Sequence, residues 1–274
     1  MKALSKSYIK SILKPREASS HKGIHGHALL IAGSKGFMGS SVIASRACLR
    51  SGAGLLTVNI PEEERFILQT AIPEAMLVMR ENTISDLNNF SAIGIGPGLG
   101  TGKESEEILV SVLNDFNKRI LLDADALNCI SSNKSLLEKI PKETIITPHP
   151  KEFDRLFGTH KDNNERMNTA IQKSKELKIT IVLKGHHTLI TYNGDTFYNT
   201  TGNAGLAKGG SGDALTGIIL SFLAQGYDPF GAAKLGVYLH GFAADLTLKN
   251  QSMESMLITD VIESLGKALK KTME

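Results

Sequence analysis

Residues 201–217, TGNAGLAKGGSGDALTG, place five glycines ahead of a single carboxylate, Asp213. Gly209, Gly210 and Gly212 leave successive backbone N–H groups free to face a concavity, and a helix opening there adds its positive end. Together these make an anion hole. The stretch lacks the Gly-Lys-Ser/Thr ending of a P-loop. A carboxylate beside a bound phosphate is repelled unless something protic lies between them, and a substrate hydroxyl supplies that proton. Asp213 then takes the proton as the hydroxyl attacks a phosphoryl group, while the amides stabilise the transferring charge. An N-cap aspartate over a tight glycine turn accounts for Asp213, but not for the density of glycine before it.

Other loops carry weaker signals. In GSKGFMGSS (33–41) the glycines Gly33, Gly36 and Gly39 are spaced by three. This is not G-x-G-x-x-G, so it fits nicotinamide dinucleotide binding poorly; a flexible strand-to-helix turn is the alternative to a ligand loop. GIGPGLG (94–100) sets Pro97 among four glycines, which permits close backbone approach. In LLDADALN, Asp123 and Asp125 lie two apart and on an extended strand would share a face. Buried acids either meet a cation or cap the next turn. TPHPKEF holds His149 between two prolines, and Glu152 opens a helix whose dipole favours a carboxylate. His21, His25 and His27 have no second ligand group spaced to complete a metal tetrahedron.

The text around these loops decides where they meet. HALLIAG, GLLTVNIP, SAIGIG, RILLDADALN, TIIT and ITIVLKG read as buried strands, and SSVIASRACLRSG, residues 104–113 and a stretch beginning near Lys151 read as helices. HTLITYNGDTFYN is a hairpin turning at Asn193-Gly194. DALTGIILSFLAQG and AAKLGVYLHGFAADLTL are further helices, and Leu4, Tyr8, Ile9, Ile12 and Leu13 make an ordinary first helix. The rhythm predicts one α/β domain over residues 1–274 with a mostly parallel sheet. Such a sheet binds ligands at the carboxyl ends of its strands, so AGSKGFMG, GPGLG, DADAL, TPHP and KGHH should line one cleft.

Composition narrows the partners. Hydrophobic residues make up 41% and charged residues 22% of the chain, and 31 basic against 28 acidic residues give a net charge of +3. The charges are scattered and aromatics sparse, which speaks against nucleic acid. No apolar run approaches the roughly 20 residues of a membrane span. Cys48 and Cys129 read as buried, with no CxxC pair, so a reducing, cytoplasmic setting is expected.

The GGSGD run before an apolar helix resembles the anion hole and catalytic base of the ribokinase-like superfamily. With SHKGIHGHALLIAGS, GPGLG, LLDADALN, TPHPKEF, VLKGHHT and the glycine stretch in order, the chain closely resembles the ADP/ATP-dependent NAD(P)H-hydrate dehydratases from about His21 onward. That resemblance implies a three-layer, ribokinase-like α/β sandwich. It also implies dehydration of the S epimer of NAD(P)H hydrate at the expense of ADP or ATP, with magnesium as cofactor. The adenine nucleotide is then expected on Lys184, Gly185, His186, His187 and Thr188, its phosphates on Gly209, Gly210, Ser211 and Gly212, and the catalytic base at Asp213. The hydrate is expected near Ser40, Gly98, His149 and Asp213, with Asn203 and Lys208 as neighbours. The family implies a homotetramer, and the short stretch before His21 leaves no room for a fused epimerase, which is expected as a separate chain. A superfamily kinase for a thiazole or hydroxymethylpyrimidine vitamin precursor is the alternative, sharing the anion hole but not the full motif set.

Overall fold

A computed structural model describes residues 1–80 and 86–274. Ten strands form one sheet: β1 Lys2–Ala3, β2 His27–Ile31, β3 Leu55–Ile60, β4 Met76–Met79, β5 Ala92–Ile95, β6 Arg119–Leu122, β7 Ile145–Ile146, β8 Thr180–Leu183, β9 Leu189–Tyr192 and β10 Asp195–Tyr198. Their spatial order is β1-β10-β9-β8-β7-β6-β5-β2-β3-β4. Neighbours run parallel except β9, which is antiparallel to both β8 and β10. The expected hairpin is therefore present, with Asn193 (φ 49°) and Gly194 (φ 92°) at its turn.

The helices are α1 Lys6–Ile12, α2 Met38–Arg50, α3 Arg65–Ala71, α4 Lys103–Asp115, α5 Ala124–Ser132, α6 Pro150–Phe157, α7 Asn163–Leu177, α8 Ser211–Ala224, α9 Pro229–Thr247 and α10 Ile258–Met273. Strand alternation divides them into two layers. In β2, Ala28 and Leu30 face a core shared with α2, α8, α9 and α10, while Leu29 and Ile31 face one shared with α4, α5 and α6. The result is the expected three-layer sandwich, apolar on both faces of a buried sheet.

Two features of this frame create the site. From β2 the chain first builds outward through β3 and β4, then returns to place β5 on the other flank of β2. The β2–β5 boundary is thus a topological switch point, the place where sheets of this kind bind their ligands. The second feature is the close packing of α2 on α8. A Cβ at Gly217 would lie 2.1 Å from the carbonyl oxygen of Ala44, so only glycine lets the two backbones come this close. Ser40 rides on the first turn of α2 and Asp213 on the first turn of α8.

One sequence expectation fails here. RILLDADALN is not a strand throughout: β6 ends at Leu122, and Ala124 (φ 46°) turns the chain into α5. Asp123 and Asp125 therefore do not share a strand face. The two acids part company at the turn: Asp123 stays buried against Lys184 and Thr216, while Asp125, in the first turn of α5, accepts from Gly100 N–H.

Gly217→Ala should lower stability by about 1–3 kcal/mol, since overpacking at the α2–α8 contact outweighs the better helix propensity of alanine. Urea denaturation would read this, and an unchanged midpoint would mean the helices part without cost.

Candidate functional site

The loops leaving β2, β5 and β6 are tied to one another by backbone contacts. Gly33 N–H donates to Pro97 O at 2.8 Å, the Ser34 hydroxyl to Gly98 O at 2.9 Å, and Gly100 N–H to Asp125 Oδ2 at 2.8 Å. Gly98 has φ 61°, and a Cβ there would come within 2.8 Å of Phe37 O and 2.9 Å of Ser40 Cβ. Its lack of a side chain is what lets the β5 loop reach α2.

Ser40 on α2 faces the Asp213 carboxylate on α8 and favours its charged form, and Gly98 packs on Ser40, so three separate chain segments come to one point. Burial pushes Asp213 above the ordinary carboxylate range, the Ser40 hydrogen bond works against that rise, and the negative charge of Asp123 adds to it. A carboxyl raised in this way is a stronger proton acceptor than a surface aspartate.

Gly210 enters α8 in the left-handed conformation (φ 89°), and no side chain caps the helix. The first-turn amides of Gly212 and Asp213 have no intrahelical acceptor and meet the helix's positive end. Gly210 itself packs toward Ile43, where a Cβ would approach Cδ1 to 2.6 Å. Its part is therefore to shape the turn, and the anion-binding edge is the start of α8.

Beside Gly212 lies Lys184, whose Nζ is 3.4 Å from where a Gly212 Cβ would sit. Lys184 Nζ donates to Asp123 Oδ1 at 2.8 Å and lies 3.8 Å from Glu152 Oε2. The Thr216 hydroxyl donates to the other Asp123 oxygen at 2.7 Å. Asp123 is almost wholly buried, so of the two readings of this acid, the cation partner is the one realised. Burial opposes the charge of Lys184, but Asp123, Glu152 and Asp213 together outweigh it and hold its pKa above that of a free lysine.

His149 is the N-cap of α6. Its Nδ1 accepts from the amides of Lys151 and Glu152, while the Glu152 carboxylate accepts from the His149 amide, a reciprocal capping box. With Nδ1 accepting, the remaining proton sits on Nε2, which is 3.4 Å from Glu152 Oε1. Burial, and then the positive charge of Lys184, keep this imidazole neutral by lowering its pKa.

A cavity of about 460 Å³ opens on the far side of Lys184 and Gly212. Gly185, His186, Thr188 and Ser211 line it, whereas His187, Gly209 and Gly210 do not. Asn203 also lines it, held by Asp245, whose Oδ1 accepts from Asn203 Nδ2 and whose Oδ2 accepts from Gly202 N–H. Lys208 is turned away, its Nζ bonded to the carbonyls of Glu254 and Met256. Thus Lys184 and Gly212 lie between the cavity and the cluster of Ser40, Gly98 and Asp213. Thr216, Asp245 and His240, which also lines the cavity, were not singled out from the sequence; each is a polar group on a mostly apolar helix.

The three histidines near the N-terminus scatter. His21 caps a 3-10 turn, His25 pairs with Ser20, and His27 pairs with Thr57. Among the described residues no group of three or more His, Cys, Asp and Glu is placed to hold a metal ion, and no helix is long and apolar enough to cross a membrane.

Replacing Asp123 by leucine should destabilise the protein by about 3–5 kcal/mol, because it strands the ammonium of Lys184 in a largely dry site. Chemical denaturation reads the difference, and a loss under 1 kcal/mol would show the pair to be screened by solvent.

The sequence matches the family described as NAD(P)H-hydrate dehydratase over residues 28–267. It is 35% identical over 276 residues to the ADP-dependent (S)-NAD(P)H-hydrate dehydratase of Enterococcus faecalis, covering 99% of this chain and 94% of that protein. It is also 33% identical over 287 residues to the bifunctional NAD(P)H-hydrate repair enzyme of Moorella thermoacetica, covering 99% of this chain and 54% of that protein. The chain thus spans about half the length of that bifunctional relative. The crystal structure of ADP/ATP-dependent NAD(P)H-hydrate dehydratase from Bacillus subtilis, co-crystallised with ATP and Mg2+, shares 32% identity and a TM-score of 0.86, over 99% of this chain and 98% of that one. Sequence and ribokinase-like fold agree along nearly the whole chain, which belongs to the NAD(P)H-hydrate dehydratase family.

Proposed function

We propose that residues 1–274 act as one catalytic unit that dehydrates the S epimer of NAD(P)H hydrate and spends the terminal phosphoryl group of ADP, or of ATP, in doing so. The observation that carries this reading is the placement of Asp213. Its carboxyl faces Ser40 of α2 on one side and follows directly on the free amide of Gly212 at the cavity side. A nucleotide lying in the cavity along Gly185, His186, Thr188 and Ser211 brings its terminal phosphate to the start of α8 and to Lys184. A hydrate lying near Ser40, Gly98 and His149 brings its C6 hydroxyl to Asp213.

The chemistry follows from that arrangement. Asp213 takes the hydroxyl proton as the oxygen attacks the terminal phosphorus, and AMP leaves when ADP is the donor. Lys184 and the α8 amides meet the charge that builds on the phosphoryl oxygens. Hydroxide is a poor leaving group and phosphate a good one, so the ring nitrogen lone pair can now expel phosphate. Loss of a C5 proton restores the double bond of the dihydropyridine. Magnesium, expected for this family, commonly binds through phosphate oxygens and one or two carboxylates. Asp123 and Glu152 are both engaged with Lys184, and among the described residues no group of three or more His, Cys, Asp and Glu forms a cage for the ion, so magnesium would be held chiefly by the phosphates. A homotetramer, a cytoplasmic location and a separate epimerase partner belong to the same reading.

A cuvette assay tests it. Protein, magnesium and NADH hydrate are mixed with ADP or ATP, and recovery of dihydronicotinamide absorbance should require a nucleotide. A stable phosphorylated product without recovered absorbance would instead favour a vitamin-precursor kinase. Asp213→Asn should cut turnover by about 10²–10⁴-fold while leaving ADP affinity nearly intact, as loss of a general base does; near-normal turnover would remove Asp213 from the mechanism. Because Asp213 must be deprotonated, kcat/KM should rise with pH through a limb lying above the ordinary aspartate range. Ser40→Ala deletes a hydrogen bond that lowers the Asp213 pKa, so that limb should move to higher pH, and a shift to lower pH would contradict the assignment.

A further inference from the structure

His240 lies on α9 between Val237 and Gly241, and all three line the cavity beside Lys184. The residue is only 7% exposed. Its Nε2 is sealed from solvent and has no hydrogen-bond partner among the described residues. The other polar groups of this wall are satisfied within the protein. Asn199 Nδ2 donates to the carbonyls of Thr201 and Val237, the Thr201 hydroxyl to Tyr238 O, and Asn203 to Asp245. Native proteins rarely leave a buried polar nitrogen unpaired, because its lost hydration is not repaid. An unpaired nitrogen on a largely buried side chain that borders a cavity is one that a ligand can pair once the ring turns toward it.

We propose that His240 is a further nucleotide-recognition residue, its imidazole turning about the side-chain torsions toward the cavity so that Nε2 pairs with a hydrogen-bonding atom of the bound adenine nucleotide. This inference rests on the nucleotide reading of the cavity. Burial, then the nearby charge of Lys184, push the pKa of His240 down to about 4, so the ring is neutral at physiological pH. It contributes one directed hydrogen bond and no charge, leaving phosphate attraction to Lys184 and the α8 amides. The clamp that holds this wall comes from the same helix: Tyr238 O and Asp245 fix Thr201, Gly202 and Asn203. A Cβ at Gly241 would lie 2.5 Å from Thr201 O, so α9 and the loop are in backbone contact.

The test compares the unaltered protein with His240→Leu and His240→Gln, measuring ADP affinity by calorimetry and the melting temperature without nucleotide. Leucine removes the polar nitrogen and should weaken ADP by about tenfold. The free protein should melt no lower than the unaltered one, because an unpaired polar group has been replaced by an apolar one. Glutamine carries a hydrogen-bonding group near the Nε2 position and should keep affinity within about threefold. In the unaltered protein the His240 Nε2 nitrogen resonance should shift on adding ADP. If leucine impairs folding, the glutamine variant and the resonance shift decide the matter. Unchanged ADP affinity in a folded His240→Leu protein, or a silent Nε2 resonance, would overturn the role of His240 alone. Failure of the unaltered protein to bind ADP or ATP would overturn the nucleotide reading and this contact with it.

Discussion

The buried pair of Lys184 and Asp123 is the contact on which the site depends. It joins the end of β8 to the end of β6, and its remaining acceptors and donors recruit α8 through Thr216 and α6 through Glu152. Four elements from distant parts of the sequence are thereby fixed around one ammonium group. Taking both charges out of water is costly, and the hydrogen bond from Thr216 and the second carboxylate of Glu152 offset that cost. The same geometry places a permanent positive charge next to the open amides of α8, where an anion is best held.

Around that pair the site has two sides with different chemistry. The cavity on the α9 side is walled by backbone-clamped loops and, apart from Lys184, by neutral side chains. The α2 side holds Asp213, whose burial makes it a stronger base than a surface aspartate. Its position depends on helix packing as well as on hydrogen bonding: without the glycine contact between α2 and α8, Ser40 and Asp213 would not reach each other. Shape and charge thus come from one set of contacts, which is why the packing glycines and the polar residues occur on the same helices.

Much of this was legible in the chain. The apolar runs gave the strands of a mostly parallel sheet, Asn193-Gly194 gave its hairpin, and the glycines before Asp213 gave the start of α8. Each is a local signal, carried by a few neighbouring residues. The misreading of Asp123 and Asp125 shows the limit of such signals. An apolar run ending in acids does not reveal where the strand stops, because the turn at Ala124 depends on what the acids meet. His149 shows the same limit. Its prolines mark a stiff loop, but its use as the cap of α6 follows from the position of Glu152 in three dimensions.

The sequence by itself determined the class of fold and the loops that gather at the carboxyl ends of the strands, because periodicity and glycine spacing act over a few residues, and its ordered motifs carried the resemblance to the family. Only the tertiary structure decided which side chains share a proton or a charge. Lys184 meets Asp123 from 61 positions away, and Asp123 meets Thr216 from 93 positions away. Burial, which raises Asp213 and leaves His240 Nε2 unpaired, likewise belongs to the packed molecule. Hydrogen bonds and desolvation depend on distance in space, and separation along the chain carries no information about that distance until the sheet and its two helical layers have closed.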